Sequence, residues 1–188
     1  MTFNTTKNEQ KKFVILAVSI DSVGHINSCA GALIRMLDHG HRVIFLLKST
    51  FRGLYARKGY EEYIYDEDQV DDENEKKENA GEIWAKISMK FRMIGPGSSM
   101  DKLYGFRDLT SSDMRLDMIM QLNHATKLAI IKFQPDLIYL DCLCLLPAVE
   151  CSKIPYIRNE SFTPIFNQFH PDLPPGGSGM KNLKKKFL

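Results

Sequence analysis

From Phe13 to Ser19 the chain is continuously apolar (FVILAVS), the pattern of a strand covered on both faces of a parallel sheet. After a turn over Asp21 to Gly24, the residues Ile26, Ala30, Leu33, Ile34 and Leu37 recur at helical spacing. Asp38-His39-Gly40 closes that helix, with Gly40 suited to the left-handed position just past a helix end. Arg42 to Leu47 (RVIFLL) reads as the second strand, which completes a βαβ unit of right-handed crossover. The pattern then predicts a short helix over Thr50 to Lys58, stopped by Gly59, and a short third strand over Glu62 to Tyr65. Asp66 to Asn79 (DEDQVDDENEKKEN) is too charged to bury and reads as an exposed loop. It lacks the glycine and the ligand spacing of a calcium loop.

Ala80 to Ile94 is predicted helical, with Ile83, Trp84, Ile87 and Phe91 on one side, and Gly95 to Ser99 (GPGSS) breaks it. A longer helical pattern covers Ser112 to Phe133, with Leu116, Ile119, Met120, Leu128 and Ile131 as its apolar set, up to Gln134-Pro135-Asp136. Leu137 to Leu140 (LIYL) is a strand ending at Asp141. A short helix follows around Pro147 to Ser152, with proline in its first turn, and Pro155 to Arg158 is a fifth strand. From Ser161 onward the chain reads as irregular, rich in proline and glycine, and basic at its end (KNLKKKFL). No internal repeat is evident.

Alternating strands and helices predict an α/β fold, a doubly wound, Rossmann-like parallel sheet whose ligands gather at the carboxyl ends of the strands. In the order 3-2-1-4-5, strands one and four are neighbours. His25, after strand one, and Asp141, at the end of strand four, then face one crevice although 116 positions separate them.

Composition narrows the class. The 188 residues suffice for one domain with a real core, 44% of them hydrophobic and 26% charged. A net charge of +2 gives no argument for a nucleic-acid partner. The polar start MTFNTTKNEQKK shows no signal-peptide pattern and no apolar run reaches membrane-spanning length, so a cytoplasmic protein is expected. In that setting Cys29, Cys142, Cys144 and Cys151 read as reduced, buried, small hydrophobes.

His25 stands where a nucleotide-binding loop would keep bare glycines. The G-x-G-x-x-G fingerprint is missing, and strand two ends in Leu47-Lys48 rather than in an acid, which argues against a nicotinamide cofactor. A histidine at a helix N-terminus feels the positive end of the dipole, which disfavours imidazolium and suits a general base. Asp141 could hold the other ring nitrogen and stabilise the imidazolium formed after proton abstraction. With no G-x-S-x-G elbow, the implied chemistry is activation of a substrate hydroxyl. The plainer alternative is a histidine that only begins a helix and an aspartate that only ends a strand. His39 and His41 are expected in solvent, His124 in a structural place on its helix, and His170 in the irregular tail. Cys142-x-Cys144 has neither the spacing nor the second pair of a zinc site.

The segments FVILAVS, GHINSCAGALIRML with DHGHRVIFL, PDLIYLDCLCLLPAVECSKIPYI and LPPGGSG together resemble the N-terminal half of the UDP-glycosyltransferases of the GT-B fold, with a flavour of the arthropod and mite members. They span residues 13 to 179. The resemblance implies an inverting hexosyl transfer from a UDP-sugar to the hydroxyl of a small lipophilic acceptor, as in detoxification. His25 would be the base and Asp141 its support, with no cofactor or metal. Acceptor contacts are expected around Gly24, Trp84, Phe91, the loop from Gly95 to Ser99 and the segment from Asn159. It further implies a flexible segment over 1–12, an incomplete acceptor-binding domain over 13–188, and a UDP-sugar-binding C-terminal domain that this chain lacks. By itself such a chain is expected to be inactive. The alternative from a different class is a non-catalytic remnant that binds lipophilic small molecules or a partner subunit.

Overall fold

A computed structural model describes residues 11–66, 80–142 and 144–161. Five parallel strands form one sheet in the order β3-β2-β1-β4-β5: β1 Val14–Ser19, β2 Arg42–Leu47, β3 Glu61–Ile64, β4 Leu137–Asp141 and β5 Tyr156–Arg158. The predicted order is therefore the observed one. Among the described residues five α-helices accompany it: α1 Val23–Asp38, α2 Ala80–Lys90, α3 Ser99–Thr110, α4 Asp113–Phe133 and α5 Pro147–Ser152.

The uninterrupted apolar strands have a direct cause: both faces of the sheet are covered. Ile15, Ala17, Val43, Phe45 and Leu47 pack with Ile26, Cys29 and Leu33 of α1. Their alternate neighbours Leu16, Val18, Ile44, Leu46, Ile138 and Leu140 pack with Leu122, Ala125 and Ala129 of α4 and Val149 of α5. Period-two alternation thus sends every second side chain to a different core.

Gly40 and Gly59 take left-handed φ values of 77° and 91°, so the expected stops are real. The helix expected over Thr50 to Lys58 is instead two short 3-10 turns, Ser49–Phe51 and Ala56–Lys58. The Glu62 carboxylate ties their junction down, accepting from the backbone N–H of Gly53, Tyr55 and Ala56 at 2.6, 2.7 and 2.8 Å. The helix expected to reach Ile94 stops at Lys90, followed by Arg92 at φ 55°.

Helix α3 was not anticipated from its weak apolar pattern. Its signal is a capping box: Ser98 Oγ accepts from Asp101 N–H while the Asp101 carboxylate accepts from Ser98 N–H. On α4 the expected apolar set holds at Ile119, which packs against the core, and is corrected elsewhere. Leu116, Met120, Leu128 and Ile131 are exposed, and the helix approaches the sheet through Leu122, Ala125, Thr126 and Ala129. Small residues there allow a close approach, and Thr126 satisfies its hydroxyl by donating to Leu122 C=O at 2.7 Å.

The acidic loop lies outside the described residues apart from Asp66, as do Leu143, His170, LPPGGSG and the basic end. Among the described residues no helix is long and apolar enough to cross a membrane.

Candidate active site

The register of β1 with β4 sets Ser19 opposite Asp141 at the carboxyl edge of the sheet. From there the chain turns through Ile20-Asp21-Ser22 into α1, which carries His25 at its third residue. Three contacts pin that turn. Tyr65 O–H donates to Asp21 Oδ2 at 2.6 Å, Lys48 Nζ lies 3.4 Å from the same oxygen, and the Trp84 indole N–H donates to Asp21 C=O at 2.6 Å. Burial pushes the Asp21 carboxyl above its ordinary pKa, against the opposing pull of Lys48 and Tyr65.

Anchored in this way, His25 meets Asp141. Nδ1 lies 3.2 Å from Asp141 Oδ2, the two side chains 12% and 2% exposed. Burial alone would raise the Asp141 carboxyl. Hydrogen bonds from His25 and Ser161 outweigh it and hold the group below the usual carboxylate range. An ionised carboxylate only accepts, so Nδ1 is the protonated nitrogen of the ring, and Nε2 is the nitrogen that a neutral ring offers as a base. Ser161 Oγ lies 2.7 Å from the same Nδ1, and Ser161 N–H donates to Asp141 Oδ1 at 3.4 Å. Cys29, expected only as a small hydrophobe, donates its S–H to Asp141 Oδ2 at 3.8 Å. Burial, and then the Asp141 charge, push that thiol up to about 12, so it stays protonated and remains a donor.

His25 belongs to the wall of a cavity of about 390 Å³ on the α4 side of this edge. Trp84, Phe106, Leu109, Ile119 and Leu122 make most of the wall apolar; Asp21, Arg115, Cys142 and Cys144 add its polar groups. Of the residues anticipated around a ligand, His25 and Trp84 line this cavity. Gly24, Phe91 and Asn159 do not. The Phe91 carbonyl packs against Gly105 of α3, and Asn159 Nδ2 approaches Ser28 Oγ at 3.5 Å. Phe106 and Leu109 were missed because their helix was missed. Ser161 and Cys29 carried no motif that would have singled them out.

The other described histidines, His39, His41 and His124, are apart from this site. His39 and His124 are exposed. His41 is half-buried rather than solvated, its Nδ1 accepting from Phe13 N–H at 3.2 Å. Cys151 is exposed and Cys144 half-buried, which corrects the expectation that all four cysteines are buried.

No protein-family model matches the sequence, and no curated protein does. Solved structures do match. The glycosyltransferase of kitacinnamycin aligns with 81% of this chain at 18% identity and a TM-score of 0.50. CalG4, the calicheamicin glycosyltransferase, aligns with 79% at 15% identity and 0.46. The glycosyltransferase SsfS6 of Streptomyces sp. SF2575, in complex with thymidine diphosphate, aligns with 79% at 13% identity and 0.46. At such identities what is shared is the fold: a Rossmann-like α/β domain of the kind found in GT-B glycosyltransferases. The chain spans about a third of the length of these structures, 31%, 30% and 38% respectively.

Proposed function

We propose that this chain is the acceptor-binding domain of an inverting glycosyltransferase, in which His25 deprotonates the hydroxyl of a small lipophilic acceptor and Asp141 supports it. The observation that carries the reading is the His25–Asp141 pair, whose imidazole stands in the wall of an apolar cavity with the buried carboxylate behind it. A neutral Nε2 takes the acceptor proton as its oxygen attacks the anomeric carbon. The bond from that carbon to the diphosphate breaks and the nucleoside diphosphate leaves from the opposite face, which inverts the carbon. The positive charge then gathering on the imidazole lies 3.2 Å from a carboxylate held ionised. Trp84, Phe106 and Leu109 offer a flat aromatic or alicyclic acceptor an apolar bed. A second domain would hold the donor, for which we propose a UDP-sugar; no metal or cofactor enters the proposal.

Two measurements test this. Binding of 1-naphthol to the chain should quench the fluorescence of Trp84, its only tryptophan. Glucosyl transfer from UDP-glucose to 1-naphthol, with a donor-binding domain joined to the chain, should fall about 10²–10⁴-fold on His25→Ala. Transfer undiminished by that change overturns the assignment. Quenching with no transfer at all, the donor domain present, assigns the chain to the non-catalytic alternative.

A further inference from the structure

Two thiols in the cavity wall play no part in the reaction just proposed. Cys142 directly follows β4 and is buried; Cys144 is half-buried, and both line the cavity. Their Sγ atoms lie 3.9 Å apart, one hydrogen-bonded to the other. Cα atoms two residues apart are separated by at most about 7 Å, close to the span a disulfide bridges. The sulfurs therefore need to approach by about 2 Å to bond.

We propose that Cys142 and Cys144 form a peroxide-sensitive dithiol that closes to an intrachain disulfide in the wall of the cavity. Cys144 is the attacking thiol. The hydrogen bond from Cys142 lowers its pKa most, burial opposes, and the charges of Arg115 and Arg158 add to the lowering, which brings it to about 6. Its thiolate attacks one oxygen of hydrogen peroxide. The O–O bond breaks, hydroxide leaves and takes up the proton that the thiol had released, and Cys144 becomes a sulfenic acid. Cys142 sulfur then attacks the sulfenic sulfur, an S–S bond forms, and the sulfenic oxygen departs with the Cys142 proton as a second water. In sum two thiols lose two electrons and two protons, and one peroxide becomes two waters. Cys29, protonated and committed to Asp141, is the contrasting thiol.

This proposal stands apart from the transfer reaction and is tested on the reduced full chain. Millimolar hydrogen peroxide should remove two hydrogens from the intact mass, peptide mapping should place the bond between Cys142 and Cys144, and dithiothreitol should restore the mass. Cys142→Ser should leave a sulfenic acid on Cys144 that dimedone traps, and Cys144→Ser should give neither product. On the unmodified sequence, iodoacetamide at pH 6 should label Cys144 roughly tenfold faster in the native chain than in urea. The larger thiolate fraction outweighs the weaker nucleophilicity of a low-pKa thiol. Native labelling no faster than unfolded, or a first oxidation product at Cys151, overturns the proposal whether or not the variants fold.

Discussion

Asp141 shows how much one side chain takes from its neighbours. It is 2% exposed yet ionised, because His25, Ser161 and Cys29 all direct hydrogens at its two oxygens. A carboxyl with a depressed folded pKa adds stability above its unfolded value of about 3.9. That contribution disappears as pH falls through the folded value. The gap in urea midpoint between the parent chain and Asp141→Asn should therefore be widest near neutrality and close as pH falls through the depressed folded value. Under the proposed reaction the same variant, joined to a donor-binding domain, should slow transfer, since its amide no longer favours the protonated ring. A gap independent of pH would mean that Asp141 is not the charged partner of His25. His25 and Asp141 could be singled out from the sequence because each ends or begins a recognisable element. Ser161 and Cys29 could not, since nothing local marks which residue a distant carboxylate will meet.

Helix α3 is where the pattern of single segments was least informative. Its apolar residues are spread around the helix, and Met100, Leu103, Tyr104 and Phe106 remain exposed. What seats it is Gly105. A Cβ there would stand 1.7 Å from the Phe91 carbonyl oxygen, so the helix crosses the turn after α2 at glycine-only distance. Replacing glycine by alanine inside a helix ordinarily gains about 1 kcal/mol. Gly105→Ala should do the reverse, losing about 1–3 kcal/mol by overpacking. It should also weaken 1-naphthol quenching of Trp84, because Phe106 and Leu109 move with the helix. A gain in urea midpoint would show that α3 does not pack at this distance. Helix α4 carries a related lesson: most of the large apolar residues that suggested its inner face are exposed, and Ala125, Thr126 and Ala129 beside Leu122 make the contact. Side-chain size decides how closely a helix can approach a sheet, and periodicity alone does not report it.

Across the whole molecule, packing holds a thiol and several phenols protonated on both faces of the sheet. The Cys29 thiol is pushed up to about 12, by burial first and then by Asp141. The phenols of Tyr55, Tyr60, Tyr65 and Tyr139 are all raised, with burial the leading cause. For groups with raised folded pKa values, stability is complete below the unfolded values, about 8.5 for thiol and 10 for phenol. It is lost as pH climbs toward the folded ones. The urea midpoint should accordingly fall from about pH 8.5 upward, steepen past pH 10, and keep falling to about pH 12. Cys29→Ala should remove the earliest part of that fall. A midpoint constant from pH 8 to 11 would contradict the burial of these groups.

The sequence alone determined the doubly wound sheet and its strand order. Continuous apolar runs, helical spacing and well-placed glycines are local signals, and the handedness of βαβ crossovers leaves few ways to assemble them. By the same route it brought His25 and Asp141 to one edge. Tertiary structure alone decided what surrounds that pair: the cavity walled by Trp84 and by a helix seated on a glycine, the donors that keep Asp141 ionised, and the thiols facing the same space. Those features depend on contacts between residues remote in the chain, where side-chain volume and desolvation act and no periodicity records them.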